Sequence, residues 1–375
     1  MSTDTNTPTV KDLMDAIDAI APFRLAESWD NVGLQFGHPD RPAGRVLVAL
    51  EATPEVLEEA TEVGANTLVL HHPLIFKPPK SFAETDPVAD LAARVIRANL
   101  NVIAAHTNWD SVADGTNGEI ADRLGLENRS FLVPAKREGD YKFVVFTPRD
   151  HIAAVIEAAA GAGAGVIGNY SHCTFRTPGT GTYKPLEGAD PYAGTVGEME
   201  QADTEERLEI VVPKARLGAL IEAVKAAHPY EEVAFDVYPL EATGEAAHGL
   251  GLVGDLPKAM TLMAFTSFCK DAFRIGSVGV VGDLNRELRR VAICSGGGGG
   301  LLAEAQASGA DVFVTGEMTH HGCAEARVRG LAAILLGHHN SEAIAGGRLA
   351  RRIREALPGV DVRVSEKEIA PVMRF

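Results

Sequence analysis

The sequence predicts an α/β fold in which the two ends of the chain build one domain around a mostly parallel sheet and the middle forms a separate α+β domain. Apolar runs alternate with helical patterns through the first third of the 375 residues, and the same alternation returns in the last third. Between them the order of runs changes and a loop-rich stretch, Thr177–Tyr192, interrupts it. A chain of this length also exceeds one ordinary hydrophobic core, so two folding units are expected.

An amphipathic helix is predicted over Val10–Ile20. RVLVAL (Arg45–Leu50) then leads into the helical PEVLEEATEVGA, NTLVL into DPVADLAARVIRANL, and NVIAA (Asn101–Ala105) follows. Short apolar strands separated by helices read as βαβ crossovers, which make parallel sheets covered on both faces. Near the C-terminus, RRVAIC (Arg289–Cys294), LLAEAQASG, DVFVT (Asp311–Thr315), a helix and LAAILL (Leu331–Leu336) repeat the rhythm. Ser341 is expected to cap a last helix in SEAIAGGRLARRIREAL. In the middle, YKFVVFTP, a helix through HIAAVIEAAAGAGA, ERLEIVVP, ARLGALIEAVKAAHP and VAFDVYPL suggest a ferredoxin-like unit. The expected division is therefore 1–130 with 246–375 as one domain and 131–245 as the insert.

Hydrophobic residues make up 46% and charged residues 23%, which is ordinary for a globular chain and not for a disordered one. The formal charge of −16 opposes direct nucleic-acid binding, since no basic stripe offsets it. No apolar run approaches the roughly 20 residues of a membrane span. MSTDTNTPTV has neither the basic nor the apolar region of a secretory signal. Cys173, Cys269, Cys294 and Cys323 are scattered without a C-x-x-C pair, so a cytoplasmic location and no disulfide framework are expected.

Seven of the 12 histidines fall in short segments just after predicted strands: HHPLIF (His71, His72), AHTNWD (His106, Asp110), GEMTHH (His320, His321) and GHHNSE (His338, His339, Glu342). In open parallel sheets the carboxyl ends of strands line the ligand crevice, so segments distant in sequence can converge. Pro73 ends the strand after His72, which lets two adjacent imidazoles project from one turn. Imidazoles and carboxylates together suit borderline divalent ions, and paired ions need shared oxygens, for which Asp110 and Glu342 are the candidates. His71, His72, Asp110, His338 and Glu342 are thus the expected ligands of two transition-metal ions: zinc, iron, manganese or nickel. His106, Glu317 and His321 are expected either as ligands or as groups that orient the ligands or transfer protons. His320 and His339 are read as supporting or surface residues. The glycine-rich CSGGGGGLL (Cys294–Leu302) fits a phosphate loop or tight helix–strand packing, and it lacks the G-K-[ST] ending of a P-loop. WDNVGLQFG (Trp29–Gly37) fits a turn or a cavity wall equally well.

Together, WDNVGLQ, HHPLIF, AHTNWD, the G-E-x-x-H-H segment, GHHNSE and HPYEEVAFDVYPL resemble the NIF-three-like dinuclear metal-centre family, whose members include GTP cyclohydrolase I type 2 homologues. The resemblance spans almost the whole chain. It implies that His71, His72, Asp110, His338 and Glu342 are ligands and that His106, Glu317 and His321 line the same cavity. It also implies a PII/CutA-like insert and a homohexamer. Trp109 departs from the family's usual Leu and changes the expected pocket shape. The leading expectation is a metal-dependent hydrolase acting on a nucleotide or related small molecule. A non-enzymatic metal-binding or regulatory interaction protein is the alternative.

Overall fold

The computed structural model of the protein describes residues 7–83, 85–135, 139–241 and 246–372. The described residues divide into two compact units, 1–135 with 246–375 and 136–245. They form a mixed α/β fold with three sheets. The strands in chain order are β1 (Gly33–Phe36), β2 (Val46–Ala49), β3 (Thr67–Leu70), β4 (Asn101–Ala104) and β5 (Glu127–Pro134). Then come β6 (Tyr141–Pro148), β7 (Thr174–Tyr183), β8 (Glu200–Val212) and β9 (Phe235–Pro239). The rest are β10 (Gly249–Thr261), β11 (Gly279–Val281), β12 (Glu287–Cys294), β13 (Val312–Thr315), β14 (Ala332–Leu335) and β15 (Val362–Val364).

The outer unit holds two sheets where the sequence suggests one. The first has the order β1-β4-β3-β2-β15 and is parallel except for β1. Its strands bury both faces. Val46, Val48, Val69 and Ile103 pack on helices Val10–Ile20 and Gly346–Ala356, while Leu47, Leu68, Leu70 and Val102 meet helices Pro54–Val63 and Pro87–Arg97. The two-residue alternation of a strand makes this division. Local signals start and stop these helices. Thr9 and Asp12 form a capping box, and Thr53 caps the second helix ahead of Pro54. The second helix ends on Gly64 at φ +68°, the left-handed C-cap that glycine accepts without strain.

The second sheet has the order β11-β14-β13-β12-β10-β5. Only β12, β13 and β14 pair in parallel, so a mostly parallel arrangement describes the first sheet and not this one. Its antiparallel members are β10, which at 13 residues pairs with both β5 and β12, and β11, which pairs with β14. Ser341 is not a cap: it lies inside the short helix His338–Glu342, whose N-cap position is Gly337.

Residues 136–245 run strand, helix, two strands, helix, strand, with antiparallel sheet order β7-β8-β6-β9. Phe143, Val145, Leu208 and Ile210 meet Val155 and Leu220 of the two helices in their own core. The outer unit closes across the insertion point. Pro134 pairs with Gly249, and the Ala135 amide donates to the His248 carbonyl at 3.0 Å. Deleting 136–247 and joining Ala135 to His248 through a two-residue Asn-Gly turn should therefore leave a hairpin of β5 and β10. The shortened chain is expected to unfold cooperatively by calorimetry and to keep its metal content; an insoluble or metal-free product would show that the insert is required. Among the described residues, no helix is long and apolar enough to cross a membrane.

Candidate metal centre

The parallel strands of both sheets end at one cluster. β3 is followed by His71 and His72, β4 by His106 and Asp110, and β14 by His338 and Glu342. Beyond β3 the chain bends at His71 and His72, whose amides donate to the carbonyls of Ala49 and Leu50 at 3.0 and 2.7 Å. The two rings lie 5.3 Å apart between centroids, tilted by 43°, and each is within 5.4 Å of the His106 ring.

Glu342 is the centre of charge. It is only 5% exposed, and its Oε2 stands 2.9 Å from His72 Nε2 and 3.0 Å from His338 Nε2. Its Oε1 lies 4.0 Å from His71 Nε2. Burial alone would raise this carboxyl, but the hydrogen bonds from His338 and His72 hold it far below the usual carboxylate range. The imidazoles respond in kind. Burial opposes the charge on His72, yet Glu342 and Glu51 raise it to about 10; Glu342 raises His338 to about 9.

His71 differs. Burial is the largest influence and pushes its pKa down, favouring the neutral ring. Its Nδ1 donates to the Ala105 carbonyl at 3.1 Å, which leaves Nε2 as the lone-pair nitrogen. That Nε2 is buried without a hydrogen-bond partner, 3.6 Å from Asp110 Oδ1. A buried acceptor with no donor is costly in a protein without a ligand there. A cation on this nitrogen would satisfy it.

Three sets of donors each lie within 4.8 Å of one another: His71, His72 and His106; His72, His338 and Glu342; His71, Asp110 and Glu342. His71, His72 and Glu342 each belong to two sets; of these only the carboxylate, with two oxygens, would suit two neighbouring ions, whereas a neutral imidazole offers one lone pair and would serve one. Asp110 belongs to one set. A donor set of imidazole and carboxylate fits borderline divalent transition ions better than an oxygen-only cage for Mg²⁺.

Outer groups orient the donors. Asp30 accepts from His106 Nδ1 at 2.9 Å and from the amide and hydroxyl of Thr107; burial works against its ionisation, but these bonds hold it at about 2. Glu317 accepts from His338 Nδ1 at 3.0 Å. Asn117 donates to the Asp110 carbonyl at 3.0 Å and accepts from the Ser295 amide at 2.9 Å. The glycine-rich segment serves packing here. Gly296, at φ +57°, leaves no room for a Cβ, which would overlap Glu342 Oε1, and its amide donates to Ser341 Oγ at 3.0 Å. A Cβ on Gly298 would likewise strike Cys294.

The structure thus brings together His71, His72, His106, Asp110, His338 and Glu342, with Glu317 on the solvent side of His338. His321 is exposed near the start of helix His320–Arg329, and its ring neighbour is His320 at 5.8 Å. Asp30 and Glu51 escaped sequence reasoning. Glu51 directly follows the strand-end residue Leu50, so the rule that selected the histidines was available for it; Asp30 sat within the ambiguous WDNVGLQ segment. Trp29 of that segment and Phe76 of HHPLIF, both exposed, stand edge-on to His106 at 6.1 and 6.5 Å.

Relatives match this chain over most of their lengths. The chain is 41% identical to a Halalkalibacterium halodurans protein called GTP cyclohydrolase 1 type 2 homolog over 319 residues, 85% of each chain. A Bacillus subtilis protein of the same name is 36% identical over 362 residues, 96% of each. The crystal structure of a Bacillus cereus protein related to NIF3 superposes with a TM-score of 0.78 at 36% identity, covering 99% of this chain and 100% of that one. The family profile of Duf34/NIF3 (NGG1p interacting factor 3) matches residues 8–371, and the chain belongs to that family.

Proposed function

We propose that this protein is a hydrolase that uses two divalent transition-metal ions, zinc, iron, manganese or nickel, on a nucleotide or related small molecule. The observation that carries the reading is the buried, partnerless Nε2 of His71 amid imidazole and carboxylate donors. The relatives' names suggest GTP as the first substrate to test. His71, His72, Asp110, His338 and Glu342 would hold the ions, with His106 as a further donor oriented by Asp30. Bound there, the ions would supply Lewis acidity and lower the pKa of water.

The chain's own residues supply the rest. Trp29 and Phe76 offer an apolar wall beside His106 against which a planar base can lie. For GTP the reaction would be addition of water at C8 with opening of the imidazole ring. Glu317, bonded to His338, and His321, in the first turn of the helix that follows, would move protons on the solvent side. We read the insert as a ferredoxin-like, PII/CutA-like module, supported by its strand–helix–strand–strand–helix–strand order. The homohexamer implied by the family resemblance and a cytoplasmic location complete the reading; the four cysteines, all free, suit a reducing compartment.

The test pairs activity with metal analysis on the same samples. Wild type, loaded separately with the four metals, is assayed on GTP, other nucleotides and simple phosphoesters. His321→Ala should keep its metal and lose roughly 10²- to 10⁴-fold in turnover, the usual contribution of general acid–base help. No turnover of any substrate with any metal would end the hydrolase reading and favour a regulatory metal-binding protein. Loss of metal from His321→Ala would instead make His321 a ligand.

A further inference from the structure

Residues 136–245 contain a cavity of about 570 Å³ that shares no residue with the metal centre. Its volume is that of a pocket for a small organic molecule. Strands β7 and β8 line one side, and Tyr192 and Tyr230 stand on loops at the other. Tyr230 gathers the aromatic wall: Tyr192 lies 5.7 Å and Tyr183 6.2 Å from it between ring centroids.

Within this wall sits a carboxylate. Glu205 is 8% exposed, and Tyr230 Oη donates to its Oε1 at 3.0 Å. Burial, then Glu205, keeps the Tyr230 phenol protonated and therefore a donor. Glu205 Oε2 lies against Gly181, where any Cβ would overlap it, so glycine at this point makes room for the acid. The register of β7 on β8 also shifts between Gly179 and Gly181, beside the same carboxylate. Strand irregularities of this kind commonly re-aim side chains at binding sites.

Charge selects the ligand. Glu231 and Glu232 join Glu205 in the lining, against Lys184 and Arg207. Arg207 is engaged by Glu209 at 3.1 Å and lies over the Phe146 ring, so its charge is already answered. An anionic ligand such as a phosphate would meet a buried carboxylate; a cation would meet that carboxylate and the negative faces of tyrosine rings.

We propose that this cavity binds a small organic cation bearing an ammonium or quaternary ammonium group, with its charge on Glu205 and its body against Tyr183, Tyr192 and Tyr230. The site is independent of the proposed hydrolase activity. The experiment uses the full chain, with choline and spermidine as probes and 3,3-dimethylbutanol as the uncharged counterpart of choline, followed by ligand-observed NMR and calorimetry. At least one cation should bind, and in the case of choline about tenfold or more tighter than its uncharged counterpart. Glu205→Gln, which retains an acceptor for Tyr230, should weaken binding about tenfold or more. Tyr192→Leu, on an exposed loop residue, should weaken it about three- to tenfold, and this keeps the test valid where Glu205→Gln fails to fold. Glu342→Ala should bind the same cation as wild type does. Absence of cation binding, equal affinity for the uncharged analogue, or variants in the cavity that bind like wild type would each overturn the proposal.

Discussion

Glu342→Ala is expected to lower bound metal from the proposed two ions per chain to one or none and to remove any metal-dependent activity. The carboxylate belongs to two of the three donor sets, and it touches His72 and His338 through one oxygen while the other faces His71. It is also buried, so water cannot replace its charge as it could at a surface. Removing one partner from a buried charged group costs about 3 to 5 kcal/mol, which corresponds to roughly 10²- to 10⁴-fold in affinity. The set of His71, His72 and His106 survives the substitution and is the place where a single ion would remain. Asp110→Ala should be milder, because two sets lack Asp110 altogether. Elemental analysis after equilibrium dialysis against each metal separates the cases. Two tightly held ions in Glu342→Ala would mean that Glu342 is not the shared carboxylate.

The residues that make this centre were legible in the sequence to the extent that they follow buried strands. His71, His72, Asp110, His338 and Glu342 all stand a few positions past apolar runs, and parallel pairing carries those ends to one edge. What the sequence could not supply was partnership across the two halves. The apolar runs have the same texture whether their strands join one sheet or two, so the split into a five-stranded and a six-stranded sheet was hidden. Asp30 illustrates the same limit: its role depends on His106, 76 positions away, and nothing local in WDNVGLQ distinguishes an acceptor from a turn residue. Ser341 was misread for a related reason. A serine before an amphipathic run looks like a cap, but here Gly337 turns the chain first, and Ser341 is spent on the Gly296 amide and the His338 carbonyl. The glycine run, similarly open between phosphate binding and packing, is explained at Gly296 and Gly298 by the lack of space for a side chain.

Metal uptake should be strongly pH-dependent, because two of the proposed ligands, His72 and His338, are held protonated in the metal-free protein. Glu342 keeps His72 protonated up to about pH 10 and His338 up to about pH 9, whereas a metal ligand must offer a free nitrogen lone pair. Binding at pH 7 should therefore release about two protons, and apparent affinity should rise up to about 100-fold per pH unit between roughly pH 7 and pH 9. The partly exposed ring of His338 feels its partner less than His72 does, so its share is the smaller. Stability should follow opposite slopes with and without metal. In the metal-free protein the raised histidine pKa values contribute stability that is fully present below about 6.5, the ordinary value, and is lost as pH rises through about 9 and then 10. Glu342 is displaced the other way, so its contribution persists throughout this range and is lost only in strong acid. The melting temperature of the metal-free protein should accordingly fall from pH 7 to pH 10, while that of the protein in excess metal should rise over the lower part of the range as binding tightens. Calorimetric titration in buffers of different ionisation enthalpy counts the protons directly. Fewer than one proton released at pH 7, with parallel melting curves, would show that Glu342 does not hold His72 and His338 charged before the metal arrives.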